Sequence, residues 1–198
     1  MRVAITGSSG LAKIIADTLE ATPFRGNTIK VDSIRCEDIT SNGTNCWVFS
    51  GYQPADVLIN LAHQDQSKIL SIAHEAWEGE KTKFIINISS RASQPNISKG
   101  YVYASEKAQL NHLANNYHYN SSKRYKMTTI NLGLLNDESL PSVKHQDVAG
   151  LIYKLITSYP DYEVADITLQ AHANYQSVQS DKETLRDMER FTMSDIIS

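Results

Sequence analysis

The feature that most constrains this chain is the way it begins. Residues 2–6 form a short apolar run that ends on Gly7-Ser8-Ser9-Gly10, after which Leu11, Ile14, Ile15 and Leu19 recur at helical spacing until Pro23. A strand that passes through a glycine turn straight into a helix is the first half of a βαβ unit, and such units build parallel sheets with helices on both faces. The alternation continues along the chain. Residues 28–32 and 56–61 read as strands, the second as one covered on both faces because it is almost wholly apolar. A helix over 64–78, a strand over 83–89, a helix over 100–119, a strand over 125–132, a helix over 143–158 and a strand over 162–169 follow. Only residues 33–55 are left for the second and third crossovers and any third strand, so at least one helix of a full doubly wound sheet is shortened or absent. The expected fold is therefore α/β, a doubly wound parallel sheet in one domain over 1–170, followed by a polar C-terminal arm over 171–198 with a helix around 182–190.

Composition narrows the partners. A chain of 198 residues with 41% hydrophobic and 21% charged residues can bury a full core. A formal net charge of -3 without a basic run offers no footprint for nucleic acid. No stretch is long and apolar enough for a membrane span, and the opening Met1-Arg2-Val3-Ala4-Ile5-Thr6-Gly7 lacks the apolar run of a signal peptide. A cytoplasmic protein acting on a small diffusible ligand is expected. The two cysteines, Cys36 and Cys46, lack the pairing of a zinc site, and no metal is expected.

Gly7, Ser8, Ser9, Gly10 and Leu11 lie where backbone can approach a pyrophosphate at the positive end of a helix, the arrangement of a Rossmann-type dinucleotide site. Ala12 supplies a small residue for packing where a third glycine is replaced by Lys13. Asp32, at the end of the expected second strand, is spaced to accept from an adenosine ribose 2′-hydroxyl, which favours NAD. Lys30 and Arg35 lie close enough to hold a 2′-phosphate instead, leaving NADP as the alternative.

Further segments, taken in order, resemble the short-chain dehydrogenase/reductase family, of which this would be an unusually short member. Cys36-Glu37-Asp38-Ile39 is similar to an acidic motif whose Asp touches adenine, and Asn60-Leu61-Ala62-His63 to the Asn-Asn-Ala-Gly end of the family's fourth strand. Ile86-Asn87-Ile88-Ser89-Ser90 resembles the strand that carries the active serine, Tyr103-Ala104-Ser105-Glu106-Lys107 the Tyr-x-x-x-Lys motif, and Asn131-Leu132-Gly133 the Asn-Pro-Gly that lies against the nicotinamide. The resemblance implies Ser90, Tyr103 and Lys107 as catalytic residues. It implies cofactor contacts from the glycine turn, Asp32, Asp38, Ile39, Asn60, Ala62, Tyr103, Lys107 and Gly133. Tyr119-Asn120-Ser121-Ser122-Lys123 repeats the short motif, but it ends in a turn-favouring sequence and lies beyond the usual interval from Ser90, so Tyr119 is expected at the surface.

Residues four apart on a helix share a face, so Lys107 can stand near Tyr103. At ~5 Å and an effective dielectric of ~20, an ammonium favours phenolate by roughly 3 kcal/mol, enough to bring the phenol toward general acid/base range. In the mechanism the resemblance implies, Tyr103 exchanges a proton with the substrate oxygen while hydride moves between nicotinamide and a small carbonyl or alcohol. Ser90 positions that oxygen and Lys107 holds the nicotinamide ribose. The chain also departs from the pattern. The family's relay asparagine is absent, with Gln64, Gln66 or water as substitutes; His63 stands in place of glycine and reads as a packed histidine; Asp137 stands in place of a threonine. Only residues 136–145 remain for a substrate lid. The alternative function is a dinucleotide-binding module without useful turnover, serving as a sensor or partner-binding protein. A trimmed nucleotide-sugar epimerase ranks behind both. A homodimer or homotetramer is expected through helices 64–78 and 100–119, with Leu70, Ala73, Trp77, Leu110 and Leu113 as apolar contacts.

Overall fold

The computed structural model describes residues 1–94, 101–138, 141–158 and 163–171. Apart from residue 171, the expected C-terminal arm, with the helix expected around 182–190, lies outside the described residues. Strands β1 (Arg2–Thr6), β2 (Lys30–Ile34), β3 (Val57–Asn60), β4 (Phe84–Ser90), β5 (Lys126–Leu132) and β6 (Asp166–Leu169) form one parallel sheet in the order β2-β1-β3-β4-β5-β6. Helices α1 (Leu11–Ala21), α2 (Cys36–Asn42), α3 (Gln66–Trp77), α4 (Tyr101–Asn120) and α5 (His145–Ser158) connect them. The doubly wound Rossmann-type architecture is as expected.

Strand alternation sorts the core into two layers. Val3, Ile5, Val57, Ile59, Ile86 and Ile88 face α1 and α5, which contribute Leu11, Ile15, Leu19, Val148, Ile152 and Leu155. Ala4, Leu58, Ile85 and Met127 face the other way, onto Ile39 of α2, Ile69, Leu70 and Trp77 of α3, and Leu110 and Ala114 of α4. Each fully buried Ile or Leu contributes roughly 1.5–3 kcal/mol to this packing.

Two departures from the expected layout affect the site. Between β2 and β3 the chain holds α2 and a short 3-10 turn at Gly43–Asn45 but no further strand, so the sheet stops at β2 on that edge. Val48 and Phe49 instead plug the layer over Ala4 and Leu58. In addition, β2 starts and ends two residues later than expected. Phe24 and Asn27 exchange backbone hydrogen bonds of 2.9 and 3.0 Å around Arg25-Gly26, both at positive φ, and this turn delays the strand.

The apolar residues expected to meet a second copy are used inside the molecule. Leu70, Ala73, Trp77 and Leu110 are buried, and Leu113 packs against the same layer. They cannot supply an intermolecular face without unpacking α3 and α4 from the sheet. Among the described residues, no helix is long and apolar enough to cross a membrane, and no cluster of His, Cys, Asp or Glu could hold a metal.

Candidate active site at the carboxyl ends of the strands

The strand order reverses between β1 and β3, and open parallel sheets bind ligands outside the carboxyl ends at such a point. Gly7 (φ 96°) donates its N–H to Ile34 O at 3.1 Å, and Gly10 (φ 53°) is the N-cap of α1. A Cβ at Gly10 would meet nothing within 4 Å, so the left-handed backbone, not crowding, is what requires glycine there. No side chain caps α1. Its first N–H groups thus form a positive end suited to phosphate, with Ser8 and Ser9 exposed beside it and Leu11 turned into the core. Thr6 fixes this corner: its Oγ1 accepts from Leu61 N at 2.7 Å and Ala62 N at 2.9 Å, and donates to Ile59 O at 3.4 Å. Sequence reading missed Thr6, although a hydroxyl just before the glycine turn is the available signal.

Asp32 is not where the sequence reading put it. It pairs with Ala4 in mid-sheet, whereas Thr6, just before the glycine turn, pairs with Ile34. Two residues of strand set it ~7 Å back from the strand end. There it forms an ion pair with Arg2 Nε at 2.7 Å and faces Lys30 Nζ at 3.6 Å. The Arg2 guanidinium in turn lies 4.4 Å from the centre of the Trp47 ring. The residue that follows the end of β2 is Arg35, exposed and 3.4 Å from Asp38. Ile39, read as a cofactor contact, is a fully buried core residue instead.

Lys107, Leu110 and Ala114 form the buried stripe of α4, and a lysine replaces an apolar residue in its first position. Lys107 is 5% exposed; its Nζ donates to Gln66 Oε1 and, at 3.3 Å, to Ile88 O. It lies 5.5 Å from the centre of the Tyr103 ring, and Tyr103 is half-buried. Burial lowers the Lys107 pKa to about 8, against an opposing effect of neighbouring Glu106. Ser90 ends β4 and caps the 3-10 turn Arg91–Ser93, its Oγ accepting from Ala92 N at 3.1 Å and keeping its own proton to donate. Ser93 Oγ donates to Ser90 O at 2.7 Å. Asn111 Nδ2 then donates to Ser93 Oγ at 2.8 Å and to Asn131 Oδ1 at 2.7 Å, and Asn131 Nδ2 to Asp166 Oδ2 at 2.8 Å. This chain of amides ties the Ser90 turn to α4, β5 and β6. Asn111, one helical step beyond Lys107, went unread in the sequence.

The remaining residues expected to touch the cofactor also have partners inside the protein. Asn60 is fully buried, its Nδ2 donating to Gln66 O at 3.0 Å and Asn87 Oδ1 at 3.1 Å. Ala62 is buried behind the Thr6 corner. Gly133 is glycine because a Cβ would approach Gln170 Cβ to 3.1 Å, and its N–H donates to Leu169 O at 2.8 Å. His63 is exposed rather than packed, and Gln64 is exposed too; of the glutamines, only Gln66 reaches Lys107. Tyr119 is 77% exposed, as expected of the repeated motif. Asp137 lies in a tight loop in which Ser142 Oγ accepts from its N–H and donates to its carbonyl, both at 2.9 Å.

A six-stranded parallel sheet with a glycine turn after its first strand and helices on both faces defines the class as a Rossmann-type α/β fold, the fold of the short-chain dehydrogenase/reductase structures it is compared with. Comparison with solved structures agrees. The chain is similar to Escherichia coli serine dehydrogenase, with 15% identity, a TM-score of 0.64, and 86% of this chain and 97% of that one covered. It is also similar to a metagenomic short-chain oxidoreductase in complex with NADP, with 18% identity, a TM-score of 0.63 and coverage of 87% and 98%. A third is a 7α-hydroxysteroid dehydrogenase complexed with NADH and 7-oxo glycochenodeoxycholic acid, with 17% identity, a TM-score of 0.65 and coverage of 87% and 94%. No protein-family model and no curated protein sequence matches the chain.

Proposed function

We propose that the protein is an NAD(P)-dependent oxidoreductase acting on a small carbonyl or alcohol, with Ser90, Tyr103 and Lys107 as its reaction centre. The observation that carries this reading is the buried Lys107, which has no paired carboxylate among the described residues and lies beside Tyr103 at the carboxyl ends of the strands. A structural lysine would extend its ammonium to water or to an acid. The positive-φ glycines and the uncapped end of α1 fit a pyrophosphate, and solved structures of the same fold are complexed with NADP or NADH. When bound, the nicotinamide supplies or accepts the hydride.

The chain's own residues perform the rest. Two of the three Lys107 donors are used by Gln66 and Ile88, which leaves the third for a ligand hydroxyl. The Tyr103 phenol, with the Lys107 ammonium 5.5 Å from its ring centre, exchanges a proton with the substrate oxygen, and the Ser90 hydroxyl donates to the same oxygen. Because Arg2 holds Asp32 within the sheet, the dinucleotide choice falls to Arg35, whose guanidinium suits a 2′-phosphate, and NADP(H) is the proposed preference. Calorimetric titration with NADPH and NADH, followed by a panel of small aldehydes and ketones, tests the reading. Consumption of reduced dinucleotide supports it; binding with no turnover across the panel would leave a dinucleotide-binding module.

A further inference from the structure

A buried ammonium is stable only where acceptors are fixed around it, and the acceptors of Lys107 come from outside its own helix. One is the Ile88 carbonyl of β4, held by the sheet. The other is Gln66 Oε1, the side chain of the first residue of α3. The Gln66 carboxamide cannot turn over. Its Nε2 donates to Asn60 O at 2.8 Å and to Ile88 O at 3.0 Å, so a flipped amide would set its oxygen against two carbonyls and its NH2 against an ammonium. Gln66 is itself buried, and its backbone carbonyl accepts from Asn60 Nδ2, which also bonds Asn87. The preceding Asp65 takes a left-handed φ of 58° to start the helix at this residue. The network Asn87, Asn60, Gln66, Lys107 thus crosses β4, β3, α3 and α4.

We propose that Gln66 is the positioning residue of the Tyr103–Lys107 pair: its locked carboxamide oxygen holds the Lys107 ammonium beside Tyr103 and sets how tightly that lysine keeps its proton. The proposal rests on reading the pair as a reaction centre, but its test does not require turnover. The chain length of glutamine is part of the design, since asparagine at this position would withdraw the amide by one methylene from Lys107 and both carbonyls.

The surrounding charges are few. On α4 itself, Tyr103 and Glu106 neighbour Lys107. From β4 the facing groups are neutral. On the α3 side, Gln66 lines a cavity of about 260 Å³ together with His63, Asp65, Lys68, Glu106 and Gln109. Among the described residues, no carboxylate forms an ion pair with Lys107, so an uncharged amide is its main side-chain partner.

The test is a side-chain NMR titration of Lys107 in the ligand-free, full-length protein, with its signal assigned by loss in Lys107→Met. The wild-type midpoint is expected at about 8. Gln66→Met keeps the bulk and removes the acceptor, so the proton affinity of Lys107 should fall about tenfold or more; Gln66→Glu places a carboxylate on the ammonium and should raise it by about tenfold or more. Opposite displacements in the two variants establish the role. Unchanged midpoints in both would reduce Gln66 to packing and overturn the proposal. If Gln66→Met fails to fold, Gln66→Leu, which also removes the acceptor without setting an oxygen against the Asn60 and Ile88 carbonyls, takes its place, and an unchanged midpoint there overturns the proposal. Absence of dinucleotide binding would sink the oxidoreductase reading and leave this titration intact.

Discussion

Glu163, far in sequence from the residues it holds, gives the most quantitative prediction. Its carboxylate lies 2.8 Å from Lys123 Nζ and 3.2 Å from His118 Nδ1, and accepts from Met127 N–H at the start of β5. Burial alone would raise its pKa, but hydrogen bonds from His118, Lys123 and Met127 outweigh this and hold it at about 2, against an ordinary 4.5. A carboxyl whose folded-state pKa is depressed stabilises the fold above its unfolded pKa, and that contribution is lost as pH falls through the folded value. The window is therefore pH 4.5 down to about 2. The full difference corresponds to an upper bound of ~3 kcal/mol. With the side chain 28% exposed, solvent screening reduces it to ~1–2 kcal/mol. Glu163→Gln keeps the shape and two acceptor contacts but removes the charge. Urea unfolding at a series of pH values should show the variant ~1–2 kcal/mol less stable at neutral pH, with the gap closing between pH 4.5 and 2. A loss that is the same at neutral pH and at pH 2 would refute the electrostatic reasoning and leave only packing.

Arg35→Ala should weaken NADPH binding more than NADH binding, whereas Asp32→Ala should leave the preference unchanged and cost only stability through its ion pair with Arg2; calorimetry with both dinucleotides checks this. Leu110→Ala should destabilise by ~2–5 kcal/mol, independently of protein concentration, because Leu110 is core rather than interface. A loss that shrank at high protein concentration would restore the helix as a pairing face.

Much of the fold was legible because it rests on local signals. The glycine turn after β1, the apolar β3 and β4 and the helical spacing of α1 and α5 each announce one element, and their alternation announces the parallel sheet. Tyr103 could be separated from Tyr119 because the interval from Ser90 and the turn-favouring Asn120-Ser121-Ser122 both bear on the choice. Asp32 was misplaced because the strand begins where the Phe24–Asn27 turn releases the chain, and a shift of two residues carries a side chain from the ligand end into the sheet. The apolar stripe of α3 and α4 was read as shared with a second copy, since periodicity shows a buried face without showing what buries it. Gln66 was named in the sequence only as one of several substitutes for a missing asparagine, and Asn111 not at all, because each acts through partners remote in sequence that no local pattern marks.

The central claim is that Tyr103 handles the proton in a dinucleotide-dependent reaction, and loss of reduced-nicotinamide absorbance with a small carbonyl substrate, wild type against Tyr103→Phe, tests it most directly. Removing the phenol oxygen should lower the rate by ~10²–10⁴-fold while leaving dinucleotide affinity nearly unchanged. A Tyr103→Phe variant that turns over at the wild-type rate would contradict the account.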